Sequence, residues 1–393
     1  MFTIERKIID RLLEYKFQIM FLCISVLGLY IRFRFLSFRS YDYNTFLGPW
    51  YDEIRAGGGV NALKKQVGNY GLTYQTLISI FTYLPGKSIF WYKTLSIAFD
   101  FVLAIVGGKI VAYLQGNRGK KFFVFTYSIL LFTPTIIINS GMWGQCDSIY
   151  TSFILLCFLL MLKNKYKSAF ISLGIAFAFK LQTIFFVPFV LLYYLTNKRY
   201  SILNFLLSIF SFYICCLPGI MIRGNLFAPF EIYNDQTKET RINLNIPNFS
   251  GLLSTSSLME NGNIYRMMKV FLICITIAIL MIAYLYFINK KSLSNSKMLE
   301  VAAWTCWTCV MFLPTMHDRY MYVADVFLIL LMSISKKYIL NTSLALFVSY
   351  LTYLYALLNI QINIFLLSII VLFNYLLFSF LVIFSEKSII KRQ

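Results

Sequence analysis

The alternation of long apolar blocks with short basic clusters constrains this chain more than any other feature. Blocks such as Phe271–Phe287 and Ile364–Phe384 are long enough to cross roughly 30 Å of hydrocarbon as helices. Seven basic clusters punctuate the blocks: Arg6/Lys7/Arg11/Lys16, Arg118/Lys120/Lys121, Lys163/Lys165/Lys167, Lys198/Arg199, Lys290/Lys291/Lys297, Lys336/Lys337 and Lys387/Lys391/Arg392. They hold more than half of the 36 lysines and arginines. Cytoplasmic loops of membrane proteins collect such residues. With all seven clusters inside, each stretch between two of them must leave and return, which gives six helical pairs and about twelve spans. The blocks fit that frame at about 17–37, 89–113, 121–139, 148–163, 168–182, 183–196, 201–219, 265–288, 297–314, 320–335, 338–358 and 364–384. Several are shorter than about 20 residues, so tilting or partial crossing is expected.

Only 13% of the 393 residues are charged and 59% are hydrophobic, whereas a soluble domain carries about a quarter charged residues. The expected fold class is therefore an all-α, polytopic transmembrane helical protein, with residues 1–393 as a single integral membrane domain. The net charge of +20 follows from the lysine-rich inner loops, so no nucleic-acid partner is expected. Residues 1–16 are charged and amphipathic, and they read as a cytoplasmic N-terminus ahead of an uncleaved signal-anchor helix. Both termini are expected inside.

Most acidic residues fall on the opposite side: Asp42, Asp52, Glu53, Asp147, Glu231, Asp235, Glu239, Glu260 and Asp318. Two outer loops are long, 38–88 and 220–264. The first contains two apolar stretches, Tyr43–Ile54 and Tyr70–Leu84. The second stretch is read as a helix lying on or dipping into the outer interface, because a span there would invert every later loop. The eight cysteines sit mostly in apolar segments and read as small embedded side chains. Cys306-Trp-Thr-Cys309 has no second pair beside it and is not read as a redox or zinc site.

Five polar segments break the apolar pattern. In the first loop, Asp42 and Asn44 stand among aromatics just outside the first span. A carboxylate at that boundary is placed to deprotonate an acceptor hydroxyl; an interfacial aromatic belt is the plainer reading. Asp52 and Glu53 read as a solvated helix face, and Gly57-Gly58-Gly59 as the end of that helix. Trp143-Gly-Gln145-Cys-Asp147-Ser148 is a short turn between two membrane helices, where polar residues are costly and default to function; helix capping is the alternative. Lys180, with Gln182 two residues on, lies near an outer helix end, where it can attract phosphate, pair with a carboxylate or snorkel. The strip Asn243-Leu-Asn245-Ile-Pro247-Asn248 suits hydrogen bonding to a polyhydroxyl ligand, though Asn and Pro also make ordinary turns. Finally, Met316-His317-Asp318-Arg319-Tyr320 holds the only histidine. Arg319 beside His317 would make a phosphate clamp, and Asp318 with Arg319 a structural pair. A lone histidine argues against zinc.

These segments, in this order, resemble the GT-C membrane glycosyltransferases, and most closely the bacterial proteins related to the second mannosyltransferase of GPI-anchor synthesis. The resemblance runs over roughly residues 40–325. It implies a many-spanning helical fold with a large first extracytoplasmic loop containing interfacial helices, and an active site on the extracytoplasmic face of a bacterial plasma membrane. It implies a polyprenyl-phosphate sugar as donor, a hexose such as mannose, and a glycan or lipid-linked acceptor. It makes Asp42 the catalytic base. The first loop of the family often has two acidic residues one apart; here the pair reads Asp42-Tyr-Asn44. That departure suits a monophosphate-linked donor, and no cofactor or metal is expected. Under this reading His317, Arg319 and Lys180 bind the donor phosphate. Asn44, Trp143, Gln145, Asp147, Gln182, Asn243, Asn245, Asn248, Asp318 and Tyr320 bind sugar or acceptor. Two alternatives are a transporter or flippase of lipid-linked sugars, for which Asp100 is the clearest mid-span charge, and a polymerase or ligase using a diphosphate-linked donor.

Overall fold

In a computed structural model of the protein, the described residues are 3–253, 262–289 and 293–384. Glu260, Lys290, Lys291, Lys387, Lys391 and Arg392, named above, lie outside them.

Each of the twelve apolar blocks is helical. The chain starts with α1 (Thr3–Glu14) and α2 (Lys16–Phe33), and the first loop carries α3 (Gly48–Ala56) and α4 (Leu72–Phe81). There follow α5 (Ser88–Gln115), α6 (Gly119–Phe132), α7 (Pro134–Ile137), α8 (Asp147–Leu162), α9 (Tyr166–Phe179), α10 (Val187–Asn197) and α11 (Phe205–Arg223). After α12 (Ala228–Thr237) come α13 (Gly262–Ile288), α14 (Asn295–Phe312), α15 (Tyr322–Ile334), α16 (Ile339–Leu358) and α17 (Ile364–Phe384). Among the described residues six stretches are long and apolar enough to cross a membrane: α2, the α5–α6 hairpin, α11, α13, α16 and α17, some with a flanking turn. The shorter apolar helices α8, α9, α10 and α15 lie among them.

Burial sorts the helices. Nearly every residue of α14 and α15 is covered, as expected of helices that are apolar all round. By contrast α2, α11, α13 and α17 expose large apolar side chains, including Leu22, Val26, Phe210, Ile282, Leu285, Phe373 and Phe380. In water such faces would drive association; in a bilayer they meet lipid. Inside the bundle, serine hydroxyls tie helices to neighbouring backbone: Ser148 to Ser96 O at 3.0 Å, Ser172 to Phe153 O at 2.8 Å and Ser208 to Phe170 O at 2.6 Å. Gly174 of α9 faces Ser208 of α11 so closely that a Cβ would collide with its backbone. Small residues and hydroxyls of this kind join helices where hydrophobic contrast with the solvent is lacking.

Three features depart from the plain pattern. The block at 121–139 is not one helix: α6 stops at Phe132, Thr133 is extended, and Pro134 opens α7, since proline has no N–H to continue the ladder. The stretch 183–196 begins with a 3-10 turn over Leu181–Phe186 before α10. And α4 is covered by protein, with Leu72, Thr73, Tyr74, Gln75, Ile78 and Ser79 all buried. It packs against α3, α5, α9 and α11, so most of its surface meets protein, and its polar side chains find partners inside, such as Gln75 on Val67 O at 2.6 Å. Two further readings of the first loop match. Asp52 and Glu53 are exposed, and α3 ends at Gly57, followed by Gly58 and Gly59 at φ +82° and +65°, a left-handed pair that glycine adopts without strain. All eight cysteines are free thiols.

Candidate active site

The polar segments separated in sequence meet at one end of the bundle. Two π-helical turns, Tyr43–Leu47 and Ile138–Trp143, frame the meeting point. Such turns insert a residue into the helical register and re-aim side chains. The second closes at Gly144 with φ +73°, which swings Gln145 back under the turn: Gln145 N donates to Asn139 O at 2.9 Å.

Asp42 precedes the first π turn and is half-buried. Its Oδ2 accepts from Trp143 Nε1 at 2.9 Å and from Gln145 Nε2 at 3.2 Å. Gln145 Oε1 in turn accepts from the Tyr70 hydroxyl at 2.8 Å. Burial raises the Tyr70 pKa well above the phenol range, so this hydroxyl stays a donor. Asp42 Oδ1 has no hydrogen-bond donor among the described residues. One oxygen is thus pinned and the other left open.

Asp147 opens α8 and is fully buried. Lys180 Nζ pairs with its Oδ1, and Asn139 Nδ2 donates to its Oδ2 at 2.9 Å. Lys180 reaches this point because α9 ends at Phe179 and Lys180 itself is extended before the 3-10 turn. The ammonium is therefore a buried ion-pair partner, and it does not snorkel. Arg319 lies 5.2 Å from the Trp143 ring centroid, a cation–π distance. Its Nε stands 3.8 Å from Asp147 Oδ2 and its Nη1 3.4 Å from Asp318 Oδ1. Arg319 Nη2 has no partner among the described residues. One guanidinium thus spans two carboxylates beside the indole that holds a third.

The segment carrying Arg319 is fixed by a two-stranded parallel sheet. Here β1 (Asn243–Leu244) pairs with β2 (Met316–His317), and Asp318 N donates to Leu244 O at 3.0 Å. Burial raises the Asp318 pKa to about 6, against the lowering effect of Arg319. For His317, burial first, then Arg319 and Lys180, lower the pKa to about 3. The imidazole is neutral at pH 7 and adds no cationic charge to a phosphate clamp. Its ring packs 5.1 Å from that of Tyr320. Gln182 is buried beside Tyr320, with Oε1 unpartnered among the described residues.

The asparagine strip behaves otherwise than its composition suggests. Asn243 Nδ2 donates to Ile246 O, Asn248 Oδ1 and Ser250 Oγ at 2.8, 3.0 and 3.0 Å. Asn248 Nδ2 donates to Val310 O at 2.8 Å. Both amides are spent holding the loop that carries β1. Asn245 is exposed with φ +65°, and Asn44 is exposed without a side-chain hydrogen bond among the described residues. Residues beyond those expected also serve the site: Tyr70, Asn139 and Tyr353, whose ring meets Trp143 edge-on at 5.3 Å. Asn139 carried a faint signal as a polar residue at the start of the Trp143 turn. Tyr70 and Tyr353 are two tyrosines among 28 and carried none.

Among the described residues no group of three or more His, Cys, Asp or Glu side chains is arranged to hold a metal ion. The site has three carboxylates, Asp42, Asp147 and Asp318, against two cations, Lys180 and Arg319.

A search of curated proteins finds no match. The family model described as Mannosyltransferase (PIG-M) matches residues 141–240. That region contains Trp143, Gln145, Asp147, Lys180 and Gln182, while Asp42 and the His317–Tyr320 segment lie outside it. The model is described by another mannosyltransferase than the one named in the resemblance, and glycosyl transfer is common to both. Over the matched residues the chain is thus similar to a mannosyltransferase family, which supports a glycosyltransferase and is consistent with a GT-C-type membrane enzyme.

Proposed function

We propose that this protein transfers a hexose, mannose first among the candidates, from a polyprenyl-phosphate sugar to a hydroxyl of a glycan or lipid-linked acceptor on the extracytoplasmic face of a bacterial plasma membrane. The observation that carries the reading is the state of Asp42: one carboxylate oxygen held by Trp143 and Gln145, the other open, beside a guanidinium. Asp42 Oδ1 takes the proton of the acceptor hydroxyl. The acceptor oxygen bonds to the anomeric carbon from the face opposite the phosphate. The bond from that carbon to the phosphate oxygen breaks, and polyprenyl phosphate leaves with the electron pair, so the anomeric centre inverts. Arg319 stabilises the departing charge, with bonds that strengthen as charge develops. Neutral His317 can hydrogen-bond a phosphate oxygen. Lys180 acts at one remove, by neutralising Asp147 and so leaving Arg319 free to turn outward. Gln182 and Tyr320 line the sugar side.

The test is a reconstituted assay with a panel of polyprenyl-phosphate sugars, comparing wild type with Asp42→Asn. The expected result is transfer from at least one donor, reduced by about 10²–10⁴-fold in the variant, the range for loss of a general base. Full transfer by Asp42→Asn would remove Asp42 from the role of base. No turnover with any donor, together with translocation of a lipid-linked sugar, would favour the flippase alternative.

A further inference from the structure

The lysine-rich end of the bundle contains a second cavity, far from the site just described. It encloses about 780 Å³ between the α1–α2 junction, the end of α5, the start of α6 and the end of α8. That volume lies within the usual range of small-molecule sites, about 300–1,000 Å³. Lys109, Lys120 and Lys163 line it, with Glu14 as the single carboxylate. The three lysines are exposed and form no ion pair among the described residues. Tyr113, beneath the Lys163 ammonium at 6.0 Å, is fixed by its hydroxyl on Leu162 O at 3.1 Å. The floor is aromatic: Phe21 and Phe123 lie 6.1 Å apart, and both pack on Tyr127. At the mouth stands Gly116, where a Cβ would meet nothing within 4 Å.

Three unpaired cations at the rim and an apolar wall below them fit an amphiphile with an anionic head. A free anion would have no use for the aromatic floor, and a neutral lipid would leave the lysines without partners. We infer that this cavity binds an anionic phospholipid, its phosphate among Lys109, Lys120 and Lys163 and its acyl chains along Phe17, Phe21 and Phe123. Basic pockets between helices on the inner face of a membrane recognise such headgroups. The position is informative as well: α8 runs from Asp147 in the candidate active site to Leu162 beside Lys163, 16 residues or about 24 Å. A lipid here would brace the inner end of the helix whose outer end carries the buried Asp147. The inference rests on the membrane reading and not on the transfer reaction.

The test uses the purified full-length protein in detergent. Its melting temperature is followed with added phosphatidylglycerol, phosphatidylcholine or inorganic phosphate. Three proteins are compared: wild type, Lys109→Gln/Lys120→Gln/Lys163→Gln, and a control with Lys165→Gln/Lys167→Gln, two exposed lysines at the same end but outside the cavity. Phosphatidylglycerol is expected to raise the wild-type and control values by about 3 °C or more and to leave the triple variant unmoved. The single variant Lys120→Glu, less disturbing to the fold, is expected to lose most of the shift. The proposal fails if phosphatidylcholine gives the same rise, if inorganic phosphate reproduces it, if the triple variant retains it, or if the control loses it equally.

Discussion

Trp143 has two tasks in one side chain. Its Nε1 holds Asp42 Oδ2 at 2.9 Å, and its ring supports Arg319 at 5.2 Å and meets Tyr353 at 5.3 Å. Phenylalanine would keep an aromatic ring for Arg319 and Tyr353 and delete the donor. A hydrogen bond to a charged group contributes about 1.5–3 kcal/mol, and each 1.4 kcal/mol in a barrier is about tenfold in rate. Trp143→Phe should therefore lower kcat by about 10–100-fold with little change in KM, since Gln145 alone would orient Asp42. Unchanged kcat in that variant would show that the indole donor does not position the carboxylate. The sequence exposed this tryptophan as part of a polar turn but not its double use. The indole–carboxylate bond joins residues 101 positions apart, and only the packed bundle brings them together.

The same turn is anchored at the level of helices by a pair buried completely. Arg32 of α2 donates through Nε to Asp100 Oδ2 of α5 at 2.7 Å, both side chains fully covered. Ser140, in the π turn ahead of Trp143, donates to the same oxygen at 2.5 Å. Arg32 Nη1 also caps Gly28 O and Leu131 O at 3.1 Å each. Four elements, α2, α5, α6 and the π turn, are thus fastened at one point. A mid-span Asp100 reads in sequence as a transporter-like charge because its partner sits 68 positions upstream, in a helix whose single arginine resembles an end-of-span cation. Removing one partner leaves a buried charge unpaired, which costs about 3–5 kcal/mol, whereas replacing both with apolar groups is often close to neutral. Asp100→Asn should then lower stability by about that amount and loosen the Trp143 turn. Arg32→Met/Asp100→Leu should recover most of the loss in a denaturation midpoint. A double variant as unstable as the Arg32→Met and Asp100→Asn losses added together would mean that the two side chains are not energetically coupled, and the ion pair would then not be what holds the turn. The local breaks escape the sequence for a related reason: the π turns and the extended Lys180 depend on tertiary partners, whereas the break at Thr133-Pro134 is legible in the proline itself.

At the scale of the whole molecule, hydropathy predicted the helices well because a bilayer leaves so few options: backbone groups in hydrocarbon must bond within their own segment. All twelve apolar blocks became helical, and the first-loop stretch read as an interfacial helix, α4, is helical too, with most of its surface covered by protein. Alternation of the helices then places Asp42, Asp147, Lys180 and Arg319 at one end, and Lys120, Lys163 and Lys167 at the other. If the lysine end faces the cytoplasm, as the positive-inside rule requires, the open oxygen of Asp42 faces out. Thiol labelling reads this directly. In a background carrying Cys23→Ser and Cys274→Ser, which removes the two exposed thiols, single cysteines are introduced as Thr45→Cys and Lys167→Cys, both exposed positions. A membrane-impermeant maleimide should label Thr45→Cys in intact cells and Lys167→Cys only after permeabilisation. The opposite pattern would turn the molecule over and move the site to the cytoplasmic face. It would also deny a lipid-linked extracytoplasmic donor its access to Asp42, and place the lysine-lined cavity in the outer leaflet.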